Sequence, residues 1–286
     1  MNILVLGCNG QLGVCLVKLL KLTEWTVFAL NKNALNICDR INVALEFHKY
    51  KPDVIINVAA FTAVDKAEDN MSVASAVNYN GVINIATAAN KMGVPLIHIS
   101  TDYVFNGEKK SPYIESDPAS PVNVYGATKH AGEMALMELM SQYLIIRTSW
   151  LFGECGDNFF TKINHLLQAS SKFSVVDDQI GGPTYVNDLV KLIVAVLKYY
   201  ESHNILPWGI YHYAGHPFVS WFEFARAIQD IISPKNDCVI RPVSSSSYLS
   251  RAKRPSNSCL DSSKVQCMFG VPPSDWRYAI EVISGH

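Results

Sequence analysis

Apolar, β-branched runs recur along the chain at residues 2–6, 26–30, 54–58, 96–100 and 144–147. They are continuous rather than alternating, which is the pattern of strands covered on both faces in a parallel sheet. Between them, residues 11–20, 72–91 and 125–140 carry Ala, Leu, Met and Lys at helical spacing, each stretch long enough for a crossover connection. The rhythm predicts an α/β fold with an open, doubly wound parallel sheet and right-handed connections.

After about Trp150 the texture changes to shorter elements, loops rich in Gly, Pro and Ser, and several Trp and Tyr, as in residues 177–184 and 242–258. Residues 1–150 are therefore expected to form the sheet domain, with some later segments returning to it, and residues 151–286 mainly a smaller region that shapes a ligand pocket. A cleft between the carboxyl edge of the sheet and this region is the expected site. The tract Ser244-Ser245-Ser246-Ser247 is too short for a useful linker and reads as a surface turn.

With 286 residues and 49% hydrophobic content the chain can bury a large core without covalent staples. Lys and Arg total 24 against 25 Asp and Glu, so no strong field argues for nucleic acid or a membrane surface, and an anionic ligand must be held locally. Seven cysteines, an odd number without a C-x-x-C pair, fit neither a disulfide framework nor a zinc site; no metal is expected, and the compartment is expected to be reducing. The first apolar run stops at Gly7, too short for a signal peptide, and the stretch 189–197 is interrupted by Lys191 and far below the about 20 residues of a membrane span. A cytoplasmic protein is expected.

The first run leads into Gly7-Cys8-Asn9-Gly10-Gln11-Leu12-Gly13 and then a helical stretch. In this strand-turn-helix setting Gly7 permits the turn, Gly10 lets the backbone approach a pyrophosphate, and Gly13 lets helix and strand pack closely. The free N–H groups of the helix N-terminus would hold the phosphates. A nicotinamide dinucleotide on a Rossmann-like sheet is thus implied. At the end of the second run, where an acidic residue would bind the adenosine ribose, stand Asn31 and Lys32. Neutral Asn31 does not repel a 2′-phosphate and Lys32 attracts one, so NADPH is expected to be accepted at least as well as NADH.

Tyr125 and Lys129 lie four residues apart, on one face of a helix. Carbonyl reduction by hydride leaves an alkoxide that needs a proton, and a tyrosine near its ordinary pKa of about 10 exchanges one poorly at neutral pH. A neighbouring ammonium favours the phenolate, so Lys129 is expected to tune Tyr125 while also orienting the nicotinamide ribose. A Y-x-x-x-K pair alone is better explained by a surface tyrosine and a solvated lysine; what reverses this is the fourth run, which ends at Thr101, at the carboxyl edge of the sheet. Its hydroxyl is expected to donate to the substrate carbonyl.

Taken together, the strings GCNGQLG, NVAAFTAVDKAE, STDYVF, NVYGATKHAGE, RTSWLFG, GIYHYAG and RPSNS resemble the extended short-chain dehydrogenase/reductases, and among them the dTDP-4-dehydrorhamnose reductases, in order along nearly the whole chain. That resemblance implies reduction of the 4-keto group of dTDP-4-dehydro-L-rhamnose to dTDP-L-rhamnose. Tyr125 would be the proton donor and Lys129 a cofactor ligand. Thr101, Asp102 and Trp150 would meet the sugar nucleotide, while Gly10, Gln11, Leu12, Asn36, Ile37, Ala60, Phe61 and Thr62 would border the cofactor. Arg254 and Asn257 would neighbour the nucleotide. Some members dimerise through magnesium-binding glutamates, one on the first helix; Cys15 stands there, so a monomer or weak homodimer is expected. Two alternatives remain at this point: a reductase of another nucleotide-linked 4-keto sugar, and a non-catalytic subunit resembling the regulatory partner of methionine adenosyltransferase.

Overall fold

Strands form where the chain is apolar on both faces. In the computed structural model, which describes residues 1–285, β1 (Asn2–Leu6), β2 (Thr26–Leu30), β3 (Val54–Asn57), β4 (Leu96–Thr101), β5 (Tyr143–Thr148) and β6 (Gly209–Tyr213) form one sheet. All neighbours are parallel, in the order β6-β5-β4-β3-β1-β2. Successive side chains go to opposite sides. Ile3, Val5, Ile56, Ile97, Leu144 and Ile146 enter a core shared with helices Gln11–Leu20 and Val186–His203. Leu4, Leu6, Ile55, Leu96 and Ile145 enter a second core with helices Arg40–Tyr50, Gly81–Met92 and Val124–Leu139. The doubly wound, three-layer arrangement follows from that split.

The first five strands lie where the apolar runs predict. The sixth, GIYHY, has no aliphatic run: it buries Tyr211 and Tyr213 instead, and helix Val186–His203 carries the chain back to the sheet to form it. The helix predicted over 72–91 is in three pieces, Met71–Ser75, a π-helical turn Ala76–Asn80 and Gly81–Met92. Such turns occur often at functional sites, and this one presents Asn78 to the loop after β3.

In the second half, Lys172–Val176 pairs in parallel with Val239–Val243. Helices Phe159–Ala169 and Trp221–Ile232 pack there through Phe160, Ile163, Phe224 and Ile228. Asn158 and Ser220 start these helices with reciprocal capping boxes to Thr161 and Glu223. The serine tract is a surface turn, its Ser245 N–H bound by the Asp178 carboxylate. Among the described residues no helix is long and apolar enough to cross a membrane.

Read outward from β1, the chain goes first to β2 on one side and then to β3 on the other. The order reverses between β1 and β3, the switch point at which doubly wound folds bind ligands in a crevice at the carboxyl ends of the strands.

Candidate active site

Gly7 turns β1 into the first helix with φ +86°, a conformation that costs glycine little. A Cβ there would come within 2.6 Å of the Ala59 backbone, and one on Gly13 would collide with the Gly7 carbonyl, so these two positions seat the turn against β3 and the helix against the turn. Gly10 is exposed, with nothing nearer to such a Cβ than the Gly7 carbonyl at 3.6 Å. Helix Gln11–Leu20 begins there without a side-chain cap or an acidic residue in its first turn, which leaves its N–H groups and positive dipole end for an anion. Gln11 Nε2 is buried without a hydrogen-bond partner among the described residues, a donor that a phosphate oxygen would satisfy. Leu12 sends its side chain into the core, so only its backbone can serve the crevice.

Beyond β2, Asn31 Oδ1 accepts the N–H groups of Asn33 and Ala34, both at 3.0 Å, and the carboxamide closes a local turn. Lys32 is exposed beside it. Asn36 Oδ1 likewise binds Cys38 N–H at 3.2 Å. Ile37 is buried against Gly81 and its carbonyl accepts Asn84 Nδ2 at 3.0 Å, so this residue is largely taken up by the core. Ala60 and Phe61, half-buried, and the exposed Thr62 follow β3. Asn78 holds them by accepting Phe61 N–H at 2.8 Å and donating to Phe61 O at 3.1 Å, and it reaches Thr128 at 3.2 Å.

The helix Val124–Leu139 starts where Asn123 caps Gly126 N–H at 2.8 Å. Gly126 lies directly on the Tyr103 carbonyl; a Cβ would overlap it. That contact brings Tyr125 to the end of β4, edge-on to Tyr103 with ring centroids 6.0 Å apart. Thr101 Oγ1 donates to Asp102 Oδ1 at 2.9 Å and accepts Tyr103 N–H at 3.2 Å. Burial pushes the Tyr125 phenol up to about 12, a hydrogen bond with Thr101 pulls it down, and the Asp102 charge adds to the rise. Burial also pushes the Asp102 carboxyl up to about 7.

Lys129 is 2% exposed, which excludes a solvated surface lysine. Its Nζ donates to the Ile99 carbonyl at 2.7 Å and lies 3.3 Å from His98 Nε2. Burial lowers it to about 8 against the opposing pull of Glu133. Lys129 Nζ is thus anchored on β4, and the group in hydrogen-bonding contact with the Tyr125 phenol is Thr101. Thr101 in turn has its proton on Asp102 rather than free for a carbonyl.

The model of the RmlD substrate binding domain matches residues 1–284. The dTDP-4-dehydrorhamnose reductase of Aggregatibacter actinomycetemcomitans is 41% identical, over 100% of this chain and 99% of that one. The chain belongs to this reductase family. Among solved members, a dTDP-4-dehydrorhamnose reductase from Clostridium acetobutylicum superposes with TM-score 0.93 at 34% identity, covering 99% of this chain and 98% of that chain. The one from Bacillus anthracis, in complex with NADP, gives 0.92 at 35% identity, with coverage of 99% and 98%.

Trp150, two residues beyond Thr148, which is in register with Thr101, sits at φ +45°, a strained value for tryptophan. Its indole stacks on Trp221 with centroids 3.4 Å apart and packs on Gly181. Arg254 binds Asp65 through Nη2 at 2.7 Å, tying the 250–254 segment to the first turn of the short helix Val64–Asp69. Asn257 Nδ2 donates to Lys109 O at 2.6 Å and Ser111 O at 3.2 Å, so its amide clamps a loop.

Motif reasoning passed over Asn78, His98, Gly126, Glu133, Arg147 and Trp221. Their signal was available only in part. His98 and Arg147 are polar residues inside strands buried on both faces, and such residues need partners there; Glu133 supplies one, accepting Arg147 Nε at 3.0 Å and Nη2 at 2.7 Å.

Proposed function

We propose that this protein reduces the 4-keto group of dTDP-4-dehydro-L-rhamnose to dTDP-L-rhamnose, using NADPH, with Tyr125 as proton donor. The observation that carries the chemistry is that Tyr125, edge-on to Tyr103, and Lys129, anchored on the Ile99 carbonyl, are both brought to the carboxyl end of β4 where Thr101 lies. The substrate follows from the full-length likeness to the dTDP-4-dehydrorhamnose reductases.

The residues fit the cofactor. Gly10, Gln11 and the free helix N-terminus suit its pyrophosphate, and Ala60, Phe61 and Thr62 wall its path. Both lone pairs of Asn31 Oδ1 are engaged, so the side chain offers only N–H donors, and together with the Lys32 ammonium these suit a 2′-phosphate better than a bare ribose. NADPH supplies the hydride to C4 when bound.

Tyr125 transfers its phenolic proton to the oxygen that becomes the 4-hydroxyl, and a phenolate remains. Thr101 stabilises that phenolate by hydrogen bonding, and its proton is released for the task when Asp102, held near neutrality by burial, is protonated and donates instead. Trp150 and Trp221 give the sugar a flat apolar wall.

Purified protein given dTDP-4-dehydrorhamnose should consume NADPH and release dTDP-L-rhamnose, and Tyr125→Phe should fold normally yet lose at least about 100-fold in kcat, the usual size of a lost general acid. Full turnover in Tyr125→Phe would refute the proton-donor assignment. Turnover only with other nucleotide-linked keto sugars would move the substrate and leave the chemistry in place; tight NADPH binding without turnover on any would favour the regulatory-subunit alternative.

A further inference from the structure

Lys129 is serviced from below by a row of polar side chains that the reaction itself does not use. Asn57 and His98 are neighbours in register across β3 and β4, and both are fully buried. Their hydrogen bonds can be followed from a donor that cannot change. The Ala59 backbone N–H donates to Asn57 Oδ1 at 3.1 Å, which fixes the carboxamide so that Nδ2 faces His98 Nδ1 at 3.0 Å. An amide nitrogen only donates, so Nδ1 must accept, and a neutral imidazole that accepts at Nδ1 carries its proton on Nε2. Nε2 lies 3.3 Å from Lys129 Nζ.

We propose that Asn57 and His98 are positioning residues that present an N–H, not a lone pair, to Lys129, and thereby favour its neutral amine. An ammonium has three donors and no acceptor, so it cannot answer His98 Nε2–H, whereas a neutral amine accepts that proton and still donates to the Ile99 carbonyl at 2.7 Å. The groups around the pair agree with this account. Burial keeps His98 well below the ordinary imidazole range, against the pull of Glu133. Glu133, one turn along the helix, is the carboxylate that favours a charged Lys129, but Arg147 on β5 holds it through two N–H groups, and its guanidinium charge opposes that pull. The remaining influence on Lys129 is burial, which acts in the same direction as the His98 N–H.

The consequence rests on the proposed reductase chemistry. Each turnover leaves Tyr125 as a phenolate that must regain a proton. A lysine that exchanges its proton close to neutral pH can resupply the site at working pH, which an ordinary lysine near about 10.4 does slowly.

The relay can be tested without turnover. In the wild-type protein, long-range ¹H–¹⁵N correlation of the histidine rings, with the His98 signals identified by their loss in His98→Gln, should show the Nε2–H tautomer. An Nδ1–H tautomer or a doubly protonated ring at pH 7 would overturn the proposal. A second variant reverses the relay: in Asn57→Asp a carboxylate oxygen faces Nδ1, takes Nδ1–H and turns the Nε2 lone pair toward Lys129. The Lys129 titration, followed by its ¹³Cε shift in lysine-labelled protein, should then move upward by at least about one pH unit, a tenfold change in acidity. The limb of the kcat profile that reports this group should move with it while KM stays. An unchanged Lys129 titration in folded Asn57→Asp would sink the relay. If instead the NMR results hold but the protein reduces no keto sugar, the proposed reaction fails and the relay stands.

Discussion

Glu133 is completely buried, and Arg147, its partner, is 3% exposed. Burial alone would raise the Glu133 carboxyl, yet hydrogen bonds from His130 and Arg147 and the guanidinium charge hold it at about 2, against an ordinary 4.5. A depression of roughly 2.5 units at about 1.36 kcal/mol each corresponds to about 3 kcal/mol, at the lower edge of the ~3–5 kcal/mol observed when one partner of a buried pair is removed. Glu133→Gln keeps the shape and deletes the charge, leaving the guanidinium uncompensated. At ~2–4 °C per kcal/mol the variant should melt roughly 6–12 °C lower at neutral pH. The sign of the pH dependence is set by the depressed value: the contribution of Glu133 is complete above about 4.5 and fades as pH falls toward about 2. Thermal unfolding followed by near-UV circular dichroism should therefore show wild-type and variant curves converging across that window. Replacing the whole pair, Glu133→Met with Arg147→Met, should recover at least half of the loss, because no charge is then stranded. A neutral-pH gap under about 1 kcal/mol, or a gap that persists in acid, would refute the reasoning.

Gly126→Ala drives a methyl group into the Tyr103 carbonyl; urea unfolding should show a loss of about 1–3 kcal/mol, and kcat should fall more than KM rises, since Tyr125 is pushed away from Thr101. Lys32→Glu puts a carboxylate where a 2′-phosphate is expected, so the KM for NADPH should rise about tenfold, on the scale of one lost charge-assisted hydrogen bond, while that for NADH changes little; equal effects on both cofactors would place Lys32 outside the site. Trp150→Ala removes one aromatic face of the proposed sugar wall; loss of one aromatic contact with the sugar nucleotide, about 0.5–1.5 kcal/mol, should raise its KM roughly 2- to 12-fold with the KM for NADPH unchanged.

Much of this protein was legible in the order of its residues, for a physical reason. Strands buried on both faces need continuous apolar runs, turns that approach a phosphate need glycine, and a proton donor with its lysine must share a helix face, so β1 to β5, Gly7-to-Gly13 and Tyr125 with Lys129 all have local signatures. Where an element lacked one, it was missed: β6 is a strand because Tyr211 and Tyr213 fill the space beside β5, and the π-helical turn becomes apparent only through Asn78 and its contacts. Ile37 and Leu12 were assigned to the crevice by string likeness alone, and packing takes their side chains into the core. The protonation chemistry is more tertiary still. Asn57, His98, Lys129, Glu133 and Arg147 come from β3, β4, one helix and β5, and nothing in their spacing links them. Sheet register sets Asn57 beside His98, the glycine contact at Gly126 fixes the helix over β4, and burial makes each hydrogen bond consequential. Local sequence determined which elements form and which chemistry they carry; the three-dimensional packing decided which polar groups meet, and hence where the protons reside.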